Sequence, residues 1–222
     1  MSILQDPYYD RPETSNSDLG WLEKYWLPQS FVIDLETAFR FGSLVDAMIT
    51  EPEQVDYFKM TVAGITYNKE EFEKAIEIKK VFFSDFFCKS LAAQCELQKV
   101  STNNAFLVIY NGFEFTLPVR CKWDFFASRI DLCGDLKTTA AETQKQFEHS
   151  IFHYNYDRQA AFYMDIENKS NFIFIGISKK NKKIFKVIVK RGDAIYKSGR
   201  TKYEELAFRY WYLFGNVNQA KT

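Results

Sequence analysis

The sequence predicts a single α/β domain in which a mostly helical first part, residues 1–98, precedes a core of strands and helices, residues 99–222. Apolar residues recur at helical spacing through the first part and change near residue 105 to short, strand-like runs. Turn signals and helical patterns then alternate with these runs, which is the element order of α/β proteins. The length of 222 residues suits one domain, because domains typically contain roughly 100–200 residues.

Three helices are predicted in the first part. Prolines follow the first two closely, at Pro28 and Pro52, and proline cannot continue a helix interior. The three helices span Ser17–Trp26, Asp34–Ile49 and Asn68 to about Gln98. The inward candidates of the second helix are Leu35, Phe39, Val45 and Ile49.

The second part contains five predicted strands and three predicted helices. Asn111-Gly112 is a strong signal for a two-residue hairpin turn between the first two strands. The strands are Ala105–Tyr110, Phe113–Phe126, Asp131–Lys137, Phe172–Ile177 and Ile184–Val189. The helices are Ala140–Ile151, which Thr138 or Thr139 is expected to cap, then Asp157–Glu167 and Asp193–Phe214.

Composition limits the classes of function. The 29 basic and 29 acidic residues balance, so a polyanionic partner would have to bind a local basic patch. Four cysteines without a C-x-x-C pair, and two histidines distant from them, favour buried thiols in a reducing cytoplasm over a zinc site. The N-terminus lacks the pattern of a signal peptide, and no apolar run approaches the ~20 residues of a membrane span. We therefore expect a cytoplasmic protein with no membrane partner.

An acid-x-lysine tripeptide occurs three times, at Glu77–Lys79, Asp135–Lys137 and Glu167–Lys169. The first lies within a predicted helix, where residues two apart point in different directions, and the third lies in a polar turn. Only Asp135 and Lys137 belong to a predicted strand, in which side chains two apart project from the same face. This tripeptide is therefore the candidate for chemistry.

A second carboxylate, Asp124, lies in the strand before Asp135. If the two strands pair as a hairpin, the two carboxylates lie side by side and repel each other unless a cation binds between them. Mg²⁺ is a hard cation that carboxylates bind, and Lys137 beside it could orient or help deprotonate a water, or stabilise charge on a phosphate. The alternative is a surface ion pair between Asp135 and Lys137, with Asp124 merely polarising a strand end.

The segments 119–126, 134–139 and 154–165, with the sequences VRCKWDFF, GDLKTT and YNYDRQAAFYMD, together resemble the PD-(D/E)xK nuclease superfamily. More narrowly, they are similar to its branch of phage and prophage exonucleases related to RecE, lambda exonuclease and RecB-type nucleases. The resemblance implies a restriction-endonuclease-like core, with a central mixed β-sheet flanked by helices after a mostly helical N-terminal part. It implies Asp124 and Asp135 as metal ligands, the Leu136 carbonyl as a further ligand, and Lys137 as the catalytic lysine.

Four further residues are implied by the same resemblance. Gln159 and Tyr163 match a glutamine-and-tyrosine motif that faces the active site, and their spacing places them on one helical face. Asp46 occupies the position where the family usually has a histidine, so it is either an oxygen ligand or a helix-surface residue. Glu96 resembles a glutamate that precedes the nuclease hairpin and is a candidate metal or water contact.

The function implied by the resemblance is a Mg²⁺-dependent exodeoxyribonuclease, with Mn²⁺ as the alternative ion, that digests ends of double-stranded DNA from 5′ to 3′ during phage-type recombination in a bacterial host. It also implies a single-strand annealing protein as partner and a ring-shaped homo-oligomer. Lys145, Arg158 and the Lys179–Lys183 turn are candidate phosphate contacts. Two alternatives remain: a single-strand nuclease or endonuclease of the same superfamily, and a catalytically silent DNA-binding module.

Overall fold

The computed structural model describes residues 7–26 and 35–219 and has the predicted α/β architecture. The helices are α1 (Asn16–Trp26), α2 (Leu35–Thr50), α3 (Lys69–Ser84), α4 (Phe86–Gln94), α5 (Gln144–His153), α6 (Tyr156–Ile166) and α7 (Ala194–Gln219), with a short 3₁₀ helix at Pro52–Gln54. The strands are β1 (Val55–Asp56), β2 (Thr61–Val62), β3 (Ile65–Thr66), β4 (Glu96–Tyr110), β5 (Phe113–Ala127), β6 (Leu132–Thr139), β7 (Asn171–Ser178) and β8 (Ile184–Lys190).

The central sheet is mixed, with five strands in the order β4-β5-β6-β7-β8. Strands β4 and β5 form a long hairpin, and both turn residues, Asn111 and Gly112, have the positive φ that a tight hairpin turn needs. Strands β6 and β7 are parallel, and a parallel connection requires a crossover, which α5 and α6 provide. The sheet therefore places β6 at its centre, between β5 and β7.

Each face of this sheet carries its own apolar cluster. Trp123 and Phe174 belong to the cluster that α5, α6 and α7 cover, with Phe147, Phe162 and Tyr203 from those helices. The other cluster joins Phe125, Ile173 and Ile175 of the sheet to residues of α2 and α3 such as Val45 and Ile78. Helices α2 and α3 therefore cover one face of the sheet, whereas Leu19 of α1 belongs to the cluster on the other face.

The helical prediction in this first part was too long at its end. The predicted helix from Asn68 to Gln98 is two helices, because Asp85 ends α3 and caps α4 by accepting a hydrogen bond from the Cys88 amide at 2.9 Å. Strand β4 begins at Glu96 rather than near Ala105. Most of its side chains before Phe106 are exposed or half-buried, so the alternation that identifies strands from sequence is weak there.

Three smaller expectations also differ. The short antiparallel sheet β1-β2-β3 was not predicted. Thr143, not Thr138 or Thr139, caps α5, in a reciprocal capping box with Gln146. Phe39 is 65% exposed rather than inward, whereas Val45 and Ile49 are buried. Pro28, Asp34 and the side chains of Trp26 and Leu35 lie outside the described residues.

The chain before α1 is attached to the sheet. Thr14 forms a parallel bridge with Val119 of β5 and exchanges backbone hydrogen bonds with Pro118 and Arg120, at 2.8 and 2.9 Å. Among the described cysteines, Cys88, Cys121 and Cys133 are buried free thiols. Within residues 7–26 and 35–219, no helix combines the length and apolar character that crossing a bilayer requires.

Candidate active site

Three aspartates from three elements converge at the centre of the sheet: Asp46 of α2, Asp124 of β5 and Asp135 of β6. We call them the acidic cluster. Phe125 of β5 pairs with Gly134 of β6, so the next position along this antiparallel ladder brings Asp124 opposite Asp135. Asp124 Oδ2 accepts a hydrogen bond from the Leu136 amide at 2.6 Å. The Asp124 side chain thus continues the contact between the two strands where their backbone pairing ends.

Gln98 of β4 connects two members of the acidic cluster. Its Nε2 donates to Asp46 Oδ2 at 3.1 Å and to Asp124 Oδ1 at 3.2 Å. The same nitrogen lies 2.8 Å from Thr50 Oγ1, and the Thr50 hydroxyl donates in turn to the Asp46 backbone carbonyl at 2.8 Å. The Gln98 backbone has φ of +52°, which is uncommon for a residue other than glycine.

Asp135, only 5% exposed, is the most buried member of the acidic cluster. Gln159 of α6 donates from Nε2 to Asp135 Oδ1 at 2.5 Å, and Lys137 Nζ lies 2.5 Å from Oδ2. That ion pair lacks the angles of a hydrogen bond, and Oδ2 accepts no other hydrogen bond from the described residues. Lys137 also lies over the ring of Tyr156, 4.7 Å from its centroid. The ammonium is therefore held between a carboxylate and an aromatic face.

Burial and repulsion raise the pKa values of two members of the acidic cluster, Asp46 and Asp124. The pKa of Asp46 is raised to about 7, first by burial and then by the charges of Asp135 and Glu51. The pKa of Asp124 is raised well above its ordinary value, again first by burial and then by Asp46 and Asp135. Without a further cation, the folded chain therefore resists full ionisation of these carboxyl groups.

The pKa of Lys137 is raised as well. Burial is the largest single influence and lowers it, but the neighbouring Asp135 and Asp124 carboxylates and the Tyr156 oxygen outweigh burial together. The lysine therefore remains an ammonium across the physiological pH range. A protonated amine can donate hydrogen bonds and offset negative charge, but it has no lone pair with which to accept a proton.

The structure brings together most of the residues that the sequence singled out. Asp46, Asp124, Asp135, Lys137 and Gln159 are linked by the contacts described above, and Leu136 lies among them, buried, with its amide on Asp124. The sequence left two roles for Asp46, an oxygen ligand or a helix-surface residue. Its position in the site agrees better with the first.

Two predicted residues lie elsewhere. Tyr163 is buried in the core, with its ring edge-on to Trp123 at 5.2 Å, and burial raises its pKa well above the ordinary value. Glu96 is exposed and pairs with Phe126 of β5. It precedes Gln98 by two residues in β4. It is Gln98, not Glu96, that β4 contributes to the contacts of the acidic cluster.

Sequence reasoning missed three residues of the site: Thr50, Gln98 and Tyr156. Two of them had a signal, because Thr50 follows Asp46 by four residues and Tyr156 precedes Gln159 by three, both spacings that share a helical face. Gln98 had none. It enters the site through a backbone conformation that glutamine rarely adopts, which no spacing rule for strands anticipates.

The oxygen atoms of the acidic cluster suit a hard divalent cation such as Mg²⁺ or Mn²⁺. The buried Asp135 Oδ2, which accepts no hydrogen bond of good geometry from the described residues, is a donor of the type that such an ion needs. As the side chains stand, no group of three or more His, Cys, Asp or Glu in the described ranges forms a ready metal site. The Gln98 amide and the Lys137 ammonium occupy positions next to these carboxylates.

The candidate phosphate contacts have different surroundings. Arg158 is 5% exposed, forms an ion pair with Glu23 at 2.5 Å and donates to Asn16, so it joins α6 to α1 rather than facing solvent. In the Lys179–Lys183 turn, Lys180 pairs with Glu142 at 2.8 Å and Lys182 with Glu77 at 3.2 Å. Lys145 is exposed on α5. Arg158 is therefore withdrawn as a phosphate contact.

Comparison with known proteins identifies the family and the fold of this chain. Residues 19–221 match a family model described as a PDDEXK-like domain of unknown function (DUF3799). A solved structure of a "Putative exonuclease" from Eubacterium rectale, 19% identical, aligns over 94% of this chain and 85% of its own with a TM-score of 0.61. A phage related exonuclease from Haemophilus somnus 129PT, 14% identical, aligns over 90% and 95% with a TM-score of 0.42. No curated protein matches the sequence.

Proposed function

The chain belongs to the PDDEXK-like family, and from this premise we propose that it is a metal-dependent deoxyribonuclease that hydrolyses phosphodiester bonds at the ends of duplex DNA. One observation carries the proposal. Asp124 and Asp135 meet on adjoining strands, with Lys137 against Asp135 and the Gln159 amide fixing the other oxygen of that carboxylate. Two carboxylates with an adjacent ammonium are the groups that metal-assisted phosphodiester hydrolysis needs.

In this proposal Asp124, Asp135 and the Leu136 carbonyl hold Mg²⁺ or Mn²⁺, and Asp46 is a further oxygen ligand. Such an ion, when bound, polarises the phosphate and lowers the pKa of a water. Gln159 keeps the Asp135 carboxylate in one orientation, as supporting hydrogen bonds do for metal ligands in general. Tyr163 supports this arrangement indirectly, by packing against Trp123 beside Asp124.

Lys137 has a more specific role. In the metal-free chain the neighbouring carboxylates raise its pKa, so it is protonated there. It acts as a cation that orients the attacking water or offsets the charge that grows on the phosphate. The Tyr156 ring, 4.7 Å from Nζ, limits where the ammonium can move when a phosphate competes for it.

The preference for DNA ends is the finer part of the proposal. The similar protein from Eubacterium rectale is described as an exonuclease, and we extend that activity to this chain, with 5′ to 3′ digestion in a bacterial cytoplasm. Assembly into a ring and cooperation with a single-strand annealing protein during phage-type recombination belong to the same proposal. So does the treatment of residues 1–222 as one nuclease domain.

An end-labelled linear duplex tests the activity. We expect cleavage with Mg²⁺ or Mn²⁺, none with EDTA, and a loss of at least ~100-fold in rate for Lys137→Met, the size that removal of a charge-stabilising group typically produces. The matched control is Lys79→Met, which changes the lysine of another acid-x-lysine tripeptide. Lys79 lies on exposed α3 surface and bonds to Tyr57, so its replacement should leave the rate unchanged.

Two further substrates separate the remaining classes of protein. A covalently closed circular duplex should persist under conditions that degrade the linear form, and equal degradation of both would establish an endonuclease instead. A label at the 5′ end should appear in small products before a label at the 3′ end does. A wild-type chain that is inert with both ions would overturn the proposal and leave a silent DNA-binding module.

A further inference from the structure

We propose that Gln98 is a neutral stand-in for the cation: its amide bridges Asp46 and Asp124 in the metal-free chain and must leave when a metal ion binds them. The inference rests on the proposed function, because it concerns the same ion. It adds a residue outside the acid-x-lysine and glutamine-tyrosine motifs, and it predicts that this residue opposes metal binding.

The contacts of the Gln98 amide define the role. One nitrogen donates toward Asp46 Oδ2 at 3.1 Å and Asp124 Oδ1 at 3.2 Å. These two carboxylates come from elements that are far apart in sequence, α2 and β5. The amide has two N–H groups for three acceptors, since Thr50 Oγ1 lies 2.8 Å from the same nitrogen. It directs the positive ends of its dipoles toward two carboxylates that otherwise repel each other, which is the electrostatic task of a bound cation.

The Gln98 amide and a metal ion cannot both contact Asp46 Oδ2 and Asp124 Oδ1 at the same time. Mg²⁺ binds oxygen at ~2.0–2.1 Å, and an ion shared by these oxygens would require the space that the amide nitrogen occupies. Metal binding therefore breaks the hydrogen bonds from Gln98. The free energy of those bonds, which is larger for charged than for neutral acceptors, is subtracted from the affinity for the ion.

Gln98 is not needed to hold the carboxylates in place. Asp124 is anchored independently by the Leu136 amide at 2.6 Å. Asp46 is fixed by its backbone within α2, and the single Thr50 hydroxyl proton is shared between the Asp46 backbone carbonyl at 2.8 Å and Oδ1 at 3.3 Å. Because both side chains keep these anchors without Gln98, removing the amide should cost little preorganisation and should mainly remove a competitor.

The backbone at Gln98 supports the same conclusion. Leu97 and Lys99 pair with Phe125 and Trp123 of β5, but Gln98 itself has φ of +52°, outside the strand region. A residue other than glycine in this region is strained and persists where the surroundings demand it. Here the surroundings are the three acceptors on the amide nitrogen.

The test is Mn²⁺ binding to the full-length, EDTA-treated chain, followed by the electron paramagnetic resonance signal of free Mn²⁺. Gln98→Met keeps the length of the side chain and removes the amide. Gln98→Asn keeps the amide but shortens the side chain by about 1.5 Å, and asparagine adopts a positive φ more readily, so this variant folds even if the first does not. Gln94→Met, at the exposed end of α4, is the control.

We expect both Gln98 variants to bind Mn²⁺ at least about fivefold more tightly than the wild type, since hydrogen bonds to charged groups no longer compete. The rise in melting temperature on adding saturating Mn²⁺ should also be larger in these variants, because their metal-free forms lack the bridge. Gln94→Met should match the wild type in both measurements.

Unchanged affinity in the folded variants would overturn the stand-in role, and weaker affinity would overturn it in favour of Gln98 as a metal ligand. Either result leaves the proposed nuclease function intact, provided that the wild type binds Mn²⁺. Absence of saturable binding to the wild type would instead overturn the proposed metal dependence, and the inference about Gln98 with it.

Discussion

Asp46 carries a large part of the electrostatic cost of the acidic cluster in the metal-free chain. Burial is the main reason that its pKa rises to about 7, and the charge of Asp135 is the next. Lys122 opposes the shift but does not cancel it. An aspartate at this position is therefore unfavourable for folding alone, and its presence is easier to explain if the site binds a cation.

The sign of this effect predicts how stability depends on pH. The folded pKa of Asp46 is about 7 against an ordinary value of 3.8, so its cost to stability is absent below pH ~4, grows as pH rises and is complete above pH ~7. In EDTA, Asp46→Asn should raise the free energy of unfolding by on the order of 1 kcal/mol above pH ~7 and by nothing near pH 4. Urea unfolding at a series of pH values measures this difference.

Asp56→Asn is the matched control. Asp56 is exposed, and backbone hydrogen bonds from Lys59 and Phe58 lower its pKa, so its replacement should give no stabilisation at any pH. A gain for Asp46→Asn that is equally large at pH 4 would contradict the electrostatic explanation, because folded Asp46 is protonated there and the unfolded carboxyl is close to its ordinary pKa of 3.8, so little of the cost is present. With Mn²⁺ present, metal binding should stabilise the wild type, so that its free energy of unfolding is no longer below that of Asp46→Asn.

For individual residues, the sequence was sufficient to propose those that lie within its motifs. Asp124, Asp135 and Lys137 could be placed together because strand side chains alternate and a hairpin brings neighbouring strands into register. Asp46 was proposed only through the family resemblance, and its contact with Gln98 could not be foreseen, since it joins a helix to a strand residue of positive φ. Contacts of this kind depend on how layers pack, which one sequence does not show.

Among the elements, the sequence predicted the strands of the buried sheet better than the exposed hairpin. Strand β7 is almost wholly buried and its uninterrupted apolar run was recognised within a residue at each end. The first half of β4 is mixed and largely exposed. Its residues up to about Gln98 were therefore assigned to the preceding helix, and those between Gln98 and Ala105 were assigned to no element. The break at Asp85 was missed because the apolar pattern continues across it, and only the capping hydrogen bond marks the end of α3.

Close packing between elements gives a prediction about glycine. A Cβ atom on Gly199 of α7 would collide with the backbone carbonyl of Asp157 at the start of α6, and backbone cannot move aside as a flexible side chain can. Gly199→Ala should therefore lower the free energy of unfolding by about 2–3 kcal/mol, as overpacking typically does. Chemical denaturation of the variant and the wild type measures the change.

Gly42 of α2 is the matched glycine. A Cβ there would lie 3.7 Å from Thr138 Oγ1, an ordinary contact, so Gly42→Ala should stabilise the chain by about 0.5–1 kcal/mol through helix propensity. We expect Gly199→Ala and Gly42→Ala to change the free energy of unfolding in opposite directions. A destabilising Gly42→Ala would mean that α2 packs against β6 more tightly than this distance indicates.

In the whole molecule, packing joins helices α2 and α3 to the central sheet. Phe82 of α3 stacks on Phe125 of β5 with ring centroids 5.8 Å apart. Ile173 and Ile175 of the sheet share a cluster with Val45 and Ile78. The acidic cluster also crosses the boundary near residue 98, because Asp46 precedes it and Asp124 and Asp135 follow it. Helices α2 and α3 thus contribute to the core, and α2 contributes to the site.

This arrangement predicts that α3 and the central sheet open together. Hydrogen exchange at increasing denaturant should give the Ile78 and Ile175 amides the same free energy of opening, equal to that of global unfolding, because neither face of the sheet can lose its cover alone without exposing a large apolar surface. The Lys180 amide, in the exposed β7–β8 turn, should exchange through local fluctuations and serves as the control. If the Ile78 amide instead opens at a distinctly lower free energy than Ile175, the helical part is a separate cooperative unit, and Asp46 would then join the acidic cluster only when that unit is docked.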